Sequence, residues 1–311
     1  MPLPLILGAA ALLAGGVGIK KGLDAKEDFD RAKRIGESAK RRHESAVRDL
    51  ESARNLTNEK LIDLGKLKVD IFQHQIKFLV EAIKRSRKNA KSTIKDFESE
   101  ITTDELEKME QMVVKSLELG SATTSGAVSG ALAGLGAWGG VQALATASTG
   151  TAISTLSGAA ATNATLAWLG GGAAAAGGLG MAGGMAVLGG LIAGPALAVG
   201  GFMMASKAEE ALTEARRYDA KVDKAIAEIE LGKELLYGLR KNVNEMSSNL
   251  LQLANTFDKH KVYDDSDESA FDRMITVGKS IKALLDMPIM EKDGSAVKNL
   301  DVKMSGYMQL H

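Results

Sequence analysis

Residues 208–257 read AEEALTEARRYDAKVDKAIAEIELGKELLYGLRKNVNEMSSNLLQLANTF. Within them Ala208, Ala211, Ala215, Tyr218, Val222, Ala225, Ile229, Gly232, Leu236, Leu239, Val243, Met246, Leu250, Leu253 and Phe257 are spaced in alternating steps of three and four, and none is charged. The positions between them are mostly Lys, Glu, Asp and Arg. A seven-residue apolar repeat lays one stripe along one helix face, the seam of a coiled coil. The stretch therefore predicts one helix of about 75 Å at 1.5 Å per residue. Val222, Ile229, Leu236, Leu239, Val243 and Leu250 are its expected packing residues.

Immediately upstream the composition inverts. Leu119 to Ser206 is a block of 88 residues without Asp, Glu, Lys, Arg or His; it holds 22 of the 34 glycines and both tryptophans, Trp138 and Trp168. Ordinary soluble domains are about a quarter charged, so this block either faces lipid or is covered by protein. A spanning helix needs about 20 apolar residues, which gives room for two to four crossings. The candidate spans are Met185–Met204 (MAVLGGLIAGPALAVGGFMM), Gly126–Leu144 and Ile153–Leu169. Trp138, Trp168, Leu188, Leu191, Ile192, Leu197, Val199 and Phe202 are the candidate membrane contacts. Small residues recur every four positions, at Gly126, Gly130 and Gly134, at Gly136 and Gly140, at Gly172, Ala176, Gly180 and Gly184, and at Gly190 and Gly194. That spacing lets helix backbones approach closely. Gly and Ala gain little from lipid, so the alternative is a bundle buried inside the protein or inside an oligomer.

Downstream of the seam, Lys259 to Asp267 is a polar, acidic break. Ser269–Leu285 predicts an amphipathic helix with Phe271, Met274, Ile275, Gly278, Ile281, Leu284 and Leu285 on its apolar face. Pro288 stops it, and Met287 to His311 carries no clear periodicity.

Residues 1–19 are also uncharged and precede Lys20 and Lys21. A secretory signal carries its positive charge before the apolar core; here it comes after. The expectation is an apolar helix or anchor, with the lysines placing the next segment on the cytoplasmic side. A seam of unusually small residues continues out of it, including Gly22, Ala25, Phe29, Ala32, Gly36, Ala39, His43, Ala46, Leu50 and Ala53. Its phase breaks near Arg54–Asn58 and resumes at Ile62, Gly65, Val69, Phe72, Ile76, Leu79 and Ile83. The break predicts either a stutter or a turn between antiparallel helices. The basic run Lys84, Arg85, Arg87, Lys88 and Lys91 has the charge to attract lipid headgroups, and its blander reading is a solvated last turn. Thr102 to Glu105 has the spacing of a capping box.

The fold class is thus all-α, with long coiled-coil helices flanking an uncharged Gly/Ala-rich helical hairpin. The expected divisions are 1–21, 22–118, 119–206, 207–260 and 261–311. Charge balances at 39 basic and 39 acidic residues, so no basic field points to nucleic acid. Cysteine is absent, which removes disulfide and thiol chemistry.

No catalytic constellation emerges. Residues 178–183 (GLGMAG) match a dinucleotide fingerprint but lack the flanking strand and the downstream acid. His43, His74, His260 and His311 are far apart and without metal-ligand spacing. Asp264, Asp265, Asp267 and Glu268 resemble the start of a calcium loop, yet the required glycine is missing and Thr276 stands at the terminal acid. The expectation is a protein that is not an enzyme and uses no cofactor.

The layout of charged helices around an uncharged hairpin resembles alpha-helical pore-forming proteins of the haemolysin E type and apolipoprotein-L-like membrane proteins. Residues 156–172 (LSGAAATNATLAWLGGG) are similar to a stretch of uncharacterised bacterial proteins. The uncharged block, the apolar N-terminus and the small-residue spacings lead to the expectation of a membrane-inserting protein of the bacterial inner membrane, acting as an effector, pore or remodelling element. Its partners would be a lipid bilayer, further copies of itself and a possible protein partner. The alternative is a cytoplasmic helical scaffold that buries its Gly/Ala block in an oligomer or partner complex.

Overall fold

The computed structural model describes residues 17–88, 101–121, 132–137, 208–263, 266–291 and 295–309. They are helical almost throughout. The elements are α1 (Val17–Ile71), a π-helical turn (Phe72–Ile76), α2 (Lys77–Lys88), α3 (Thr103–Ser121), a short α4 (132–137), α5 (Ala208–His260), α6 (Glu268–Asp286) and α7 (Leu300–Met308). Among the described residues the only extended pairing is an isolated bridge between Met290 and Ala296. The fold is all-α.

The chain forms two compact units, each built from two distant stretches. The first comprises Met1–Arg48 and Ile192–Glu230, the second Asp49–Leu191 and Leu231–His311. In the first unit the small residues of α1 do what their size permits. Ala32 and Ala39 bury against Ala211, Ala215, Tyr218 and Val222 of α5, with Ile35, Leu212 and Ile226 at the margin. Arg42 bridges Asp219 and Asp223 of α5 across the exposed edge. Phe29 is 39% exposed, although it lies on the seam.

The second unit holds the main core. Arg240 of α5 donates to the Ala53 carbonyl (3.1 Å) and to the Thr57 hydroxyl (2.9 Å). Further along, Gln75 donates to Asp258 (3.0 Å). Residue numbers rise together in the two helices, so α1 and α5 run parallel here. Gln73 reaches the Ser116 carbonyl, Lys84 pairs with Glu110, and Arg87 donates to the Ile101 carbonyl. Those numbers run in opposite senses, so α3 lies antiparallel to α2. The basic run at the end of α2 is therefore partly structural, since Lys84 and Arg87 fasten α3 to α2.

The starts of α3 and α6 and the end of α6 have local causes. Thr102 and Glu105 make a reciprocal capping box, with Thr102 N–H to Glu105 Oε2 at 2.9 Å and Glu105 N–H to Thr102 Oγ1 at 3.2 Å. Those bonds hold the Glu105 carboxyl below its usual range. Asp267 caps α6 by accepting from Ala270 N–H (3.0 Å), and α6 ends at Asp286, two residues before Pro288.

The expected break at Arg54–Asn58 is not a turn. Helix α1 continues through it, and Thr57 is fully buried there, donating to the Ala53 carbonyl (2.7 Å). The apolar repeat lapses at that point because Arg240 and Thr57 supply a polar contact in place of a hydrophobic one. Beyond it two stripes of the helix are buried, one through Leu61, Leu64, Lys68 and Ile71, the other through Val69, Phe72, Ile76, Leu79 and Ile83. A π turn holds one extra residue per turn and rotates the helix face beyond it. The turn at Phe72–Ile76 turns Gln73 toward α3 and Gln75 toward α5.

Candidate functional site

The described parts of the uncharged block are residues 119–121, at the end of α3, and α4, and the seat of α4 on α1 is the place where the two compositions meet. Two glycines let the backbones touch. A Cβ added to Gly65 would lie 2.0 Å from the Leu132 carbonyl oxygen, and one added to Gly136 would lie 2.2 Å from the Leu61 carbonyl oxygen. Neither carbonyl can retreat without moving a helix. Leu132 and Leu135 close over this crossing with Val69, flanked by Ile62 and Leu119.

A short helix leaves its last carbonyls without partners. Here two of them are supplied from outside. Lys68, one turn beyond Gly65 on α1, donates from Nζ to the Gly136 carbonyl (3.3 Å). Ile289 N–H donates to the Ala137 carbonyl (3.0 Å). Lys68 is completely buried. Burial pushes its ammonium down from 10.5 to about 7, and Asp286 of α6 pulls the other way. Asp286 is itself paired with Lys282 at 2.8 Å.

The strand-like arm after α6 is fixed from α5. The amide of Asn242, buried, donates to the carbonyls of Ile289 (3.0 Å) and Val297 (2.9 Å), while Val297 N–H donates to the Ile289 carbonyl (3.0 Å). The chain of contacts thus runs from α5 through Asn242 to Ile289 and on to α4. Chemically the arrangement is a clamp: it binds backbone carbonyls of its own chain and presents no nucleophile to solvent.

The seam residues Val222, Ile229, Leu236, Leu239, Val243 and Leu250 are all buried, as are Ala211, Ala215, Tyr218, Gly232, Met246, Leu253 and Phe257. Ala225 is half-buried. Of the expected packing glycines, Gly134 is buried within α4; Gly126, Gly130, Gly180, Gly184, Gly190 and Gly194 lie outside the described residues. So do the expected membrane contacts Trp138, Trp168, Leu188, Leu191, Ile192, Leu197, Val199 and Phe202. The candidate span Gly126–Leu144 is described at 132–137 alone, and that part is buried in the second unit. No described helix is long and apolar enough to cross a membrane.

Lys68 and Asn242 escaped the sequence reading. Lys68 keeps the spacing of Leu61, Leu64 and Ile71, so the available signal was a single cation on an apolar stripe.

A concavity lies at the turn between α5 and α6, lined by His260, Asp267, Glu268, Asp272 and Arg273 among others. Its polar groups serve the local helix: Asp267 caps it, and Arg273 donates to Ser269 (2.6 Å). Among the described residues no group of His, Asp and Glu is placed to hold a metal ion. Compared with known proteins, the chain matches no family model, no curated protein and no solved structure.

Proposed function

We propose that this protein is a non-enzymatic, membrane-inserting helical protein, in which charged helices carry an uncharged Gly/Ala-rich block to a bacterial inner membrane. The observation that supports this reading is the 88-residue block itself, Leu119 to Ser206, without a single charge. Water demands charge at a protein surface; lipid penalises it by several kcal/mol per group. The block suits lipid by omission, and its glycine spacing suits helix pairing there. In this reading the protein acts as an oligomeric pore, an effector or a remodelling element, and its charged helices remain on the cytoplasmic side. Purified protein should float with phospholipid vesicles in a density gradient and resist alkaline extraction from cell membranes. Protein that stays at the bottom of the gradient and leaves membranes on alkaline extraction overturns it.

A second reading has its own support. Residues 132–137 of the block are buried against α1, and Leu231, Leu235 and Tyr237 of α5 are exposed at 64%, 37% and 60%. A helical scaffold that stores its block in an oligomer or partner complex would have both features. A discrete, lipid-free oligomer in detergent-free buffer supports the scaffold; lipid-dependent assembly supports the membrane protein.

A further inference from the structure

The seat of α4 joins three features that structural packing alone does not require together. The backbones of α1 and α4 touch at Gly65 and Gly136, a cation is buried at the crossing, and a separate arm holds the next carbonyl. A methionine would fill the space of Lys68 and leave the core apolar. The lysine instead places a titratable nitrogen against a helix that is otherwise without polar side chains, since α4 consists of Leu132, Ala133, Gly134, Leu135, Gly136 and Ala137.

We propose that this seat is an acid-opened latch: the neutral Lys68 amine fastens α4 of the uncharged block, and protonation of Lys68 releases it. The proposal rests on the membrane reading for what the released block then does. The surroundings decide the direction. From α4 no titratable group faces Lys68; the next carbonyl, of Ala137, is held by Ile289 N–H, and the Asn242 amide of α5 is spent on the Ile289 and Val297 carbonyls. From α6 comes Asp286, already paired with Lys282. On α1 itself Asp63 pairs with Lys66 and Asp70 with His74, all exposed. A proton added to Lys68 therefore meets one hydrogen bond and one committed carboxylate. Burial lowers the affinity of the amine for that proton to about pH 7, so acidification from pH 8.5 to 6 charges the core unless the seat opens and water reaches the nitrogen.

The chain has no cysteine, so a single thiol reports the seat. In Leu135→Cys the thiol replaces a side chain 3% exposed under the crossing. Its rate of modification is measured relative to the same chain in denaturant at the same pH. Protection should fall at least tenfold between pH 8.5 and pH 6, and in the same background Lys68→Met should keep its pH 8.5 protection at pH 6. Gly65→Val should lose protection at both values, while a thiol at Ala215, buried in the other unit, stays protected. If Gly65→Val also exposes Ala215, that variant reports general unfolding and the Lys68→Met comparison decides. Protection that ignores pH, or an equal loss in Lys68→Met, overturns the latch. Flotation on vesicles of phosphatidylethanolamine and phosphatidylglycerol separates the two ideas. Loss of Leu135 protection without flotation keeps the latch and sinks the membrane reading; flotation with Leu135 fully protected does the reverse.

Discussion

A methyl group at residue 65 has no room. In a helix, alanine is favoured over glycine by about 1 kcal/mol, so a Gly→Ala change with space available would stabilise. At Gly65 the new carbon would lie 2.0 Å from a backbone oxygen, whereas at Gly278 it would meet the tip of Leu79, 2.5 Å from Cδ2. A leucine tip can rotate; the Leu132 carbonyl cannot. Gly65→Ala should therefore cost more than Gly278→Ala, by about 1 to 3 kcal/mol in chemical denaturation, the usual scale of overpacking. Equal costs would mean that α4 does not sit on α1 in solution. Lys68 makes the second prediction at this scale. Its folded-state pKa, about 7, lies below the ordinary 10.5. Between those values the unfolded chain binds more protons than the folded one, so the stability contributed by this group rises with pH. Below about pH 7 both states hold the proton and the burial penalty is complete. From pH 6 to pH 9 the Lys68 contribution should grow by about 2 to 3 kcal/mol. Subtracting the stability profile of Lys68→Met from that of the wild type isolates it, and parallel profiles would show that Lys68 is hydrated.

At the scale of elements, the capping box of α3 and the seam of α5 are separable. Thr102→Ala removes an acceptor from the first turn of α3 and should cost about 1 kcal/mol, read as a lower unfolding midpoint without loss of helix content. Leu236→Asp with Leu239→Asp is a far larger insult, because both side chains are buried in the second unit. An ionised carboxylate without a partner in such a place costs several kcal/mol, and thermal unfolding should shift down by tens of degrees; an unchanged transition would mean that α5 stands alone as an exposed rod. The seam was legible in the sequence because leucine, isoleucine and valine at steps of three and four mark a buried helix face. The apolar face of α6 was legible for the same reason, and Phe271, Met274, Ile275, Ile281, Leu284 and Leu285 are all buried. What stayed hidden used polar atoms in the core. Thr57, Lys68, Gln75 and Asn242 are buried while their residue types announce solvent. Lys68 and Asn242 are held by carbonyls remote in sequence, at Gly136, Ile289 and Val297, Gln75 by the Asp258 carboxylate and Thr57 by Arg240, and periodicity carries no information about such partners. The direction of packing was hidden too. A seam shows that a helix has a partner, but the parallel course of α1 and α5 is visible only where Arg240 meets Thr57 and Gln75 meets Asp258.

For the whole molecule, the proposed membrane insertion raises the question of where the two ends of the uncharged block would lie. Helix α3 carries the chain in with Lys115 and Glu118, and α5 carries it out with Glu209 and Glu210. Moving either charged helix through lipid is costly, so both ends should remain on one side and the block should cross an even number of times or dip and return. Lys20, Lys21 and Lys207 stand at apolar edges, which favours the cytoplasm as that side. A thiol reagent tests this, because the chain supplies no cysteine of its own. The probe positions must be exposed in the folded protein. Ser116 fails, being buried with its hydroxyl donating to the Val113 carbonyl (2.7 Å). Lys115 and Glu209 are exposed and serve instead. In intact cells a membrane-impermeant maleimide should label neither Lys115→Cys nor Glu209→Cys, and after lysis it should label both. Labelling of one site alone in intact cells requires an odd number of crossings and removes the hairpin. Labelling of both places the charged helices outside, which keeps the even count and reverses the orientation that the flanking lysines favour.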